Sequence, residues 1–173
     1  RTVALLSARH TWGSCSVSNV KKAMTDAGYS SRNSNLKAEW IVQNQHWFMD
    51  RQHVSFRQPF DDLINLVALK MTNPEERRKR LQREIKGFGL KITSHFLRGL
   101  GLDGNQLAVL DTHLIEALGD WPALKLQNLD LDSGMSKKKY FEVENRLRRA
   151  CNRLNVRLND VDRFFWRRAT FSN

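Results

Sequence analysis

The chain has 173 residues, the usual size of one domain and enough to bury a core without disulfide or metal staples. Lysine and arginine outnumber aspartate and glutamate by 29 to 18, and the resulting formal charge of +11 points to a polyanionic partner. Apolar stretches are short and interrupted, far from the roughly 20 residues of a membrane span, and the start Arg1-Thr2-Val3 lacks a secretory-signal pattern, so a soluble intracellular protein without membrane association is expected.

Residues 1–8 are largely apolar and open without methionine, which leads us to expect that a preceding segment is missing. After a polar break at Arg9–Ser14, Val17–Ala27 forms a helix ending at Gly28. Leu36, Trp40 and Trp47, with Ile41, mark a second helix, and Phe60, Leu63, Ile64, Val67 and Met71 mark a third after Pro59. The tryptophans read as packing groups. Asn73-Pro74-Glu75-Glu76 is a helix start: a capping side chain, proline in the first turn, acidic residues at the positive helix end. The run Arg77–Arg80 reads as a solvated face, with Leu81 and Ile85 on the apolar side and a stop at Gly87.

Asp130–Gly134 reads as a loop. Ser136 precedes a helix with the stripe Tyr140, Val143, Leu147, Cys151 and Leu154, opposite Lys138, Glu142, Arg149 and Arg153. Asn159 is positioned to cap a last helix carrying Val161, Phe164, Phe165 and Trp166. Pro59, Pro74 and Pro122 fall where helices can begin and long alternating β-branched runs are absent, so the fold class is all-α. Two cysteines, Cys15 and Cys151, are too few for a four-cysteine zinc or iron-sulfur site, and Cys151 reads as buried. The histidines show no metal-ligand spacing.

The informative stretch is Lys86-Gly87-Phe88-Gly89-Leu90-Lys91, followed by Ile92-Thr93-Ser94-His95-Phe96-Leu97-Arg98-Gly99. It reads as a helix-hairpin-helix. Gly87 and Gly89 permit a tight turn and leave the backbone bare, so a DNA phosphate can approach the amides at the start of the second helix. Lys91 lies in that helix's first turn, where the dipole, neighbouring basic groups and partial burial would disfavour its protonated form and make it a nucleophile. Downstream, Leu107-Ala108-Val109-Leu110 leads into Asp111-Thr112-His113. Asp111 can cap the next helix, and its carboxylate can stabilise positive charge on a sugar.

These segments resemble the helix-hairpin-helix GPD superfamily of DNA glycosylases, in which a GxGxK hairpin, an apolar helix and a VDxH-type aspartate occur in this order. The likeness is greatest to the compact second-class 8-oxoguanine DNA glycosylase/AP lyases. It extends to Gly28-Tyr29 with Lys37–Val42, to Lys139–Glu144 and to Asp162–Trp166. It implies one domain over 1–173 built from two helical subdomains flanking a catalytic cleft. One is a helical barrel over 17–118 with the hairpin at 86–91; the other comprises 1–16 plus 119–173.

The resemblance also implies a reaction: Lys91 attacks C1′ of a flipped nucleotide, Asp111 assists, and the Schiff base permits β-elimination, with no metal or diffusible cofactor. It implies base-pocket roles for His95, Asp162, Phe165 and Trp166, and DNA contacts from Gly87, Gly89, Arg9, His10 and His113. The expected partner is damaged double-stranded DNA, bound by a monomer. Arg9 stands where relatives usually carry asparagine or glutamine, and the chain ends Arg168–Asn173 where they often end in a lysine. The resemblance implies 8-oxoguanine as the excised base, and these departures leave another oxidised or modified base as the alternative. A non-catalytic helix-hairpin-helix DNA-binding module is the remaining alternative.

Overall fold

A computed structural model describes residues 16–29, 33–45, 58–119, 121–129 and 135–171, apart from the side chains of 58–60, 113, 123, 166 and 168–171. Within these residues the regular structure is entirely helical. The helices are α1 (Val17–Asp26), α2 (Ser34–Gln43), α3 (Gln58–Asn65), α4 (Pro74–Glu84), α5 (Leu90–Gly99), α6 (Thr112–Gly119), α7 (Lys137–Leu154) and α8 (Leu158–Phe171). A π-helical turn, Leu66–Lys70, continues α3, and two short 3-10 turns, Pro122–Leu124 and Leu126–Asn128, follow α6. None of these helices is long and apolar enough to cross a membrane.

The helix boundaries follow local chemistry. Ser16 caps α1 by accepting from Asn19 N–H at 3.2 Å, and Gly28 beyond its end takes a positive φ of 74°. Asn73 caps α4 by accepting from the Glu75 and Glu76 amides at 2.8 and 3.3 Å. Ser136 caps α7 by accepting from Lys139 N–H at 3.2 Å, and the helix ends at Asn155 in the left-handed region. Asn159 departs from its expected role. It lies inside α8, whose first residue is Leu158, and its side-chain oxygen accepts from the Arg98 guanidinium instead of from a helix amide.

The chain divides into two compact units, 1–72 with 80–87 and 73–79 with 88–173. In the first, Val20 and Met24 of α1 bury against Ala38 of α2, with Ile41 and Val42 packed on them. The second has a core of Ala108, Leu110, Leu114 and Leu118 closed by Tyr140, Val143, Leu147 and Leu158. This packing places α5 and α6 with the C-terminal helices. Cys151 is buried in the same core, whereas Cys15 lies outside the described residues.

Candidate active site on helices α5, α6 and α8

The hairpin turn is built by two glycines with different duties. Gly87 has φ +85°, and a Cβ there would come within 2.5 Å of the Trp40 ring, so both the backbone and the space require glycine. Asn44 holds the residue before it, donating to Lys86 C=O at 2.8 Å and accepting from Lys86 N–H at 2.7 Å. Gly89 has an ordinary extended backbone (φ −74°) with nothing within 4 Å of a Cβ placed there. The fold does not require glycine at 89, and a bare Cα beside open space remains.

Along α5 the side chains separate into two rows. Thr93, Ser94 and Leu97 are buried. Lys91, His95 and Arg98 follow one another at four- and three-residue spacing along another side. Lys91 Nζ lies 3.5 Å from Asp111 Oδ2, with side-chain exposures of 52% and 14%. The lysine is therefore a half-exposed amine beside a carboxylate.

Asp111 uses its two oxygens differently. Oδ1 accepts from Leu114 N–H at 2.8 Å, capping α6, while Oδ2 faces the amine. His113 is the second residue of α6; its side chain is outside those described.

Beyond Lys91, an open cleft of about 430 Å³ is lined by His95 and Arg98 of α5, Val109, and Asn159, Asp162 and Arg163 of α8, with Arg167 further along α8. Residues 159, 163 and 167 recur every four positions, with 162 beside them, so one side of α8 opens into this space. Asp162 is 4% exposed; it accepts from Arg98 and, at 3.0 Å, from Val109 N–H. Burial pushes its carboxyl above the usual aspartate range, against the pull of Val109 N–H and Arg98.

Of the expected base-pocket residues, the structure brings His95 and Asp162 into one cleft. Phe165 is elsewhere. With Leu158 and Val161, it occupies the core side of α8, and its ring stacks on Trp121 with centroids 5.6 Å apart. Trp166 lies one turn after Asp162 on α8, with its side chain outside the described set. Arg9 and His10 also fall outside the described residues. Arg98, Arg163 and Arg167 were not singled out from sequence and Asn159 was read only as a helix cap, although the spacing from Lys91 through His95 leads directly to Arg98. Among the described residues, no group of three or more histidine, cysteine, aspartate or glutamate side chains is placed to hold a metal ion.

A family model described as 8-oxoguanine DNA glycosylase matches residues 5–156. The chain belongs to the 8-oxoguanine DNA glycosylase family. Similar family members include the 8-oxoguanine DNA glycosylase/AP lyase of Metallosphaera sedula, 30% identical over 87% of this chain and 63% of that one. The protein of the same name from Methanocaldococcus jannaschii is 30% identical over 66% of this chain and 52% of that one. The Fusobacterium nucleatum member is 27% identical over 78% of this chain and 56% of its own length. The chain thus spans between about half and two-thirds of these relatives. The crystal structure of Methanocaldococcus jannaschii 8-oxoguanine DNA glycosylase shares the fold, with a TM-score of 0.63 and 22% identity over 99% of this chain and 70% of that one.

Proposed function

We propose that this protein is a bifunctional DNA N-glycosylase/AP lyase that excises 8-oxoguanine from duplex DNA. The observation that carries the reading is the placement of Lys91 Nζ 3.5 Å from Asp111 Oδ2, in a chain whose family and named relatives carry that activity. In the reaction, the Lys91 amine forms a bond to C1′ as the glycosidic bond breaks and its electrons leave with the base, which takes up a proton. The Asp111 carboxylate stabilises the positive charge developing on the sugar and accepts a proton from the amine. Ring opening gives the imine, and loss of a C2′ proton expels the 3′ phosphate.

The half exposure of Lys91 fits a nucleophile that must meet a nucleotide from outside, and binding of that nucleotide would supply the desolvation that the free protein lacks. The cleft lined by His95 and Asp162 is assigned to the extruded base. Gly87, Gly89 and the start of α5 are assigned to backbone phosphate, together with Arg9, His10 and His113 from their sequence positions.

Borohydride trapping on duplexes carrying single lesions tests the assignment. Wild type should form a covalent adduct with an 8-oxoguanine duplex, and Lys91→Gln should bind that duplex yet form none. A folded, DNA-binding wild type that gives no adduct with any damaged duplex would remove the lyase assignment. An adduct restricted to a different oxidised base would change the substrate and keep the chemistry.

A further inference from the structure

Three successive amides of the segment that delivers Asp111 to the site donate to side chains. Ala108 N–H donates to Glu144 Oε1 at 2.8 Å, Val109 N–H to Asp162 Oδ2 at 3.0 Å, and Leu110 N–H to the Tyr140 hydroxyl at 3.3 Å. The same hydroxyl donates to Ala108 C=O at 2.7 Å, so one phenol spans the backbone on both sides of Val109. Buried amides without partners are costly, and here side chains of α7 and α8 supply what a neighbouring strand would supply elsewhere.

Tyr140 and Glu144 lie one helical turn apart on α7, and both are buried. Glu144 is itself fixed: Arg78 Nη2 donates to its two carboxylate oxygens at 2.8 and 3.0 Å, and Arg148 Nη2 lies 3.6 Å from Oε2. Arg78 also lies over the Tyr140 and Phe141 rings, 5.7 and 5.4 Å from their centroids. Two points on an 18-residue helix therefore hold the backbone immediately before Asp111.

We propose that Tyr140 and Glu144 are positioning residues that set the Asp111 carboxylate against Lys91 by gripping the backbone of residues 108–110. The fixed partner of the pair is then the aspartate, because Lys91 is half exposed on a long flexible stem whereas Asp111 is 14% exposed and committed through Oδ1 to Leu114. A sub-ångström slip of this backbone moves Oδ2 relative to the amine without touching the DNA-binding hairpin, so the loss falls on the chemical step and not on affinity. The inference rests on the glycosylase/lyase reading given above.

The test is a double-mutant cycle between Tyr140→Phe and Asp111→Asn, read as the single-turnover rate of borohydride-trapped adduct at saturating protein. Wild type is measured first: its failure to give any adduct overturns the glycosylase/lyase reading, and this proposal with it. Given a wild-type adduct, Tyr140→Phe should slow its formation about tenfold while DNA affinity stays within about twofold. In the Asp111→Asn background, with all four proteins of the cycle compared at the same abasic site, the same change should alter the residual rate by less than about twofold.

An unchanged rate in Tyr140→Phe, or an equal slowing in both backgrounds, overturns the positioning role while leaving the function intact. Should Tyr140→Phe fail to fold, Glu144→Gln enters the same cycle, and amide exchange in the wild type gives a reading free of any substitution. Ala108 and Leu110 amides protected like those of the α7 core support the grip, and amides exchanging at open-loop rates overturn it.

Discussion

Gly87 and Gly89 look interchangeable in the sequence, yet the structure gives them separate reasons to be glycine. At Gly87 an alanine would adopt φ +85° and drive its Cβ to 2.5 Å from the Trp40 ring. The left-handed backbone and the clash together should cost about 2 kcal/mol or more of stability, read as a shifted midpoint in urea unfolding. At Gly89 the backbone is ordinary and the space open, so alanine should leave the midpoint nearly unchanged. What it would add is a methyl group where a phosphate is assigned to approach the start of α5. Gly89→Ala should therefore weaken DNA binding several-fold with little loss of stability, and the assignment fails if binding is untouched. Asp111 shows the same division of labour within one side chain, one oxygen on the Leu114 amide and the other on the Lys91 side.

The cap and stripe grammar of the helices was legible, whereas the ionic partners of α4 and α7 were not. Ser136, the Tyr140–Val143–Leu147–Cys151 stripe and the Asn73-Pro74 start all stand where periodicity put them, because caps and apolar spacing are local. Leu154 is an exception: it continues that spacing but lies at the end of α7, 59% exposed. The run Arg77–Arg80 misleads for a different reason. Arg78 is 1% exposed and paired with Glu144, and Arg77 pairs with Asp103 at 2.6 Å. These partners are 66 and 26 residues away, beyond any helical period. A clue existed in Glu144, a charge one turn from Tyr140 on the apolar side of its helix, since a carboxylate is buried there only with a cation to meet it.

This buried cluster has a pH signature. Burial pushes the Tyr140 phenol above its ordinary value of 10.0, because ionisation would place an anion inside the core. Above pH 10 the unfolded chain loses the phenolic proton that the folded chain keeps, so the contribution of this group is full below that value and is lost as pH rises through the folded pKa. Wild-type stability measured relative to Tyr140→Phe should decline over this alkaline range, and a flat difference would contradict the burial argument.

At the scale of the whole molecule, net charge and the reacting pair should answer to salt in different ways. With a formal charge of +11, the proposed DNA partner should be met largely through phosphate contacts that release counterions. If it neutralises roughly six phosphates, the affinity should fall with salt along a log–log slope of about −5. The Lys91–Asp111 separation of 3.5 Å is well inside the Debye length of about 8–10 Å, and Asp111 is largely shielded from solvent. Once the complex is saturated, the single-turnover rate should therefore change by less than about twofold between roughly 50 and 200 mM salt, even as the affinity drops steeply. Titrations and rates on the same duplex over this range separate the two effects. A rate that falls in step with affinity would place the salt-sensitive contacts at the reacting carbon and remove the division between a charged surface that captures DNA and a short-range pair that acts on it.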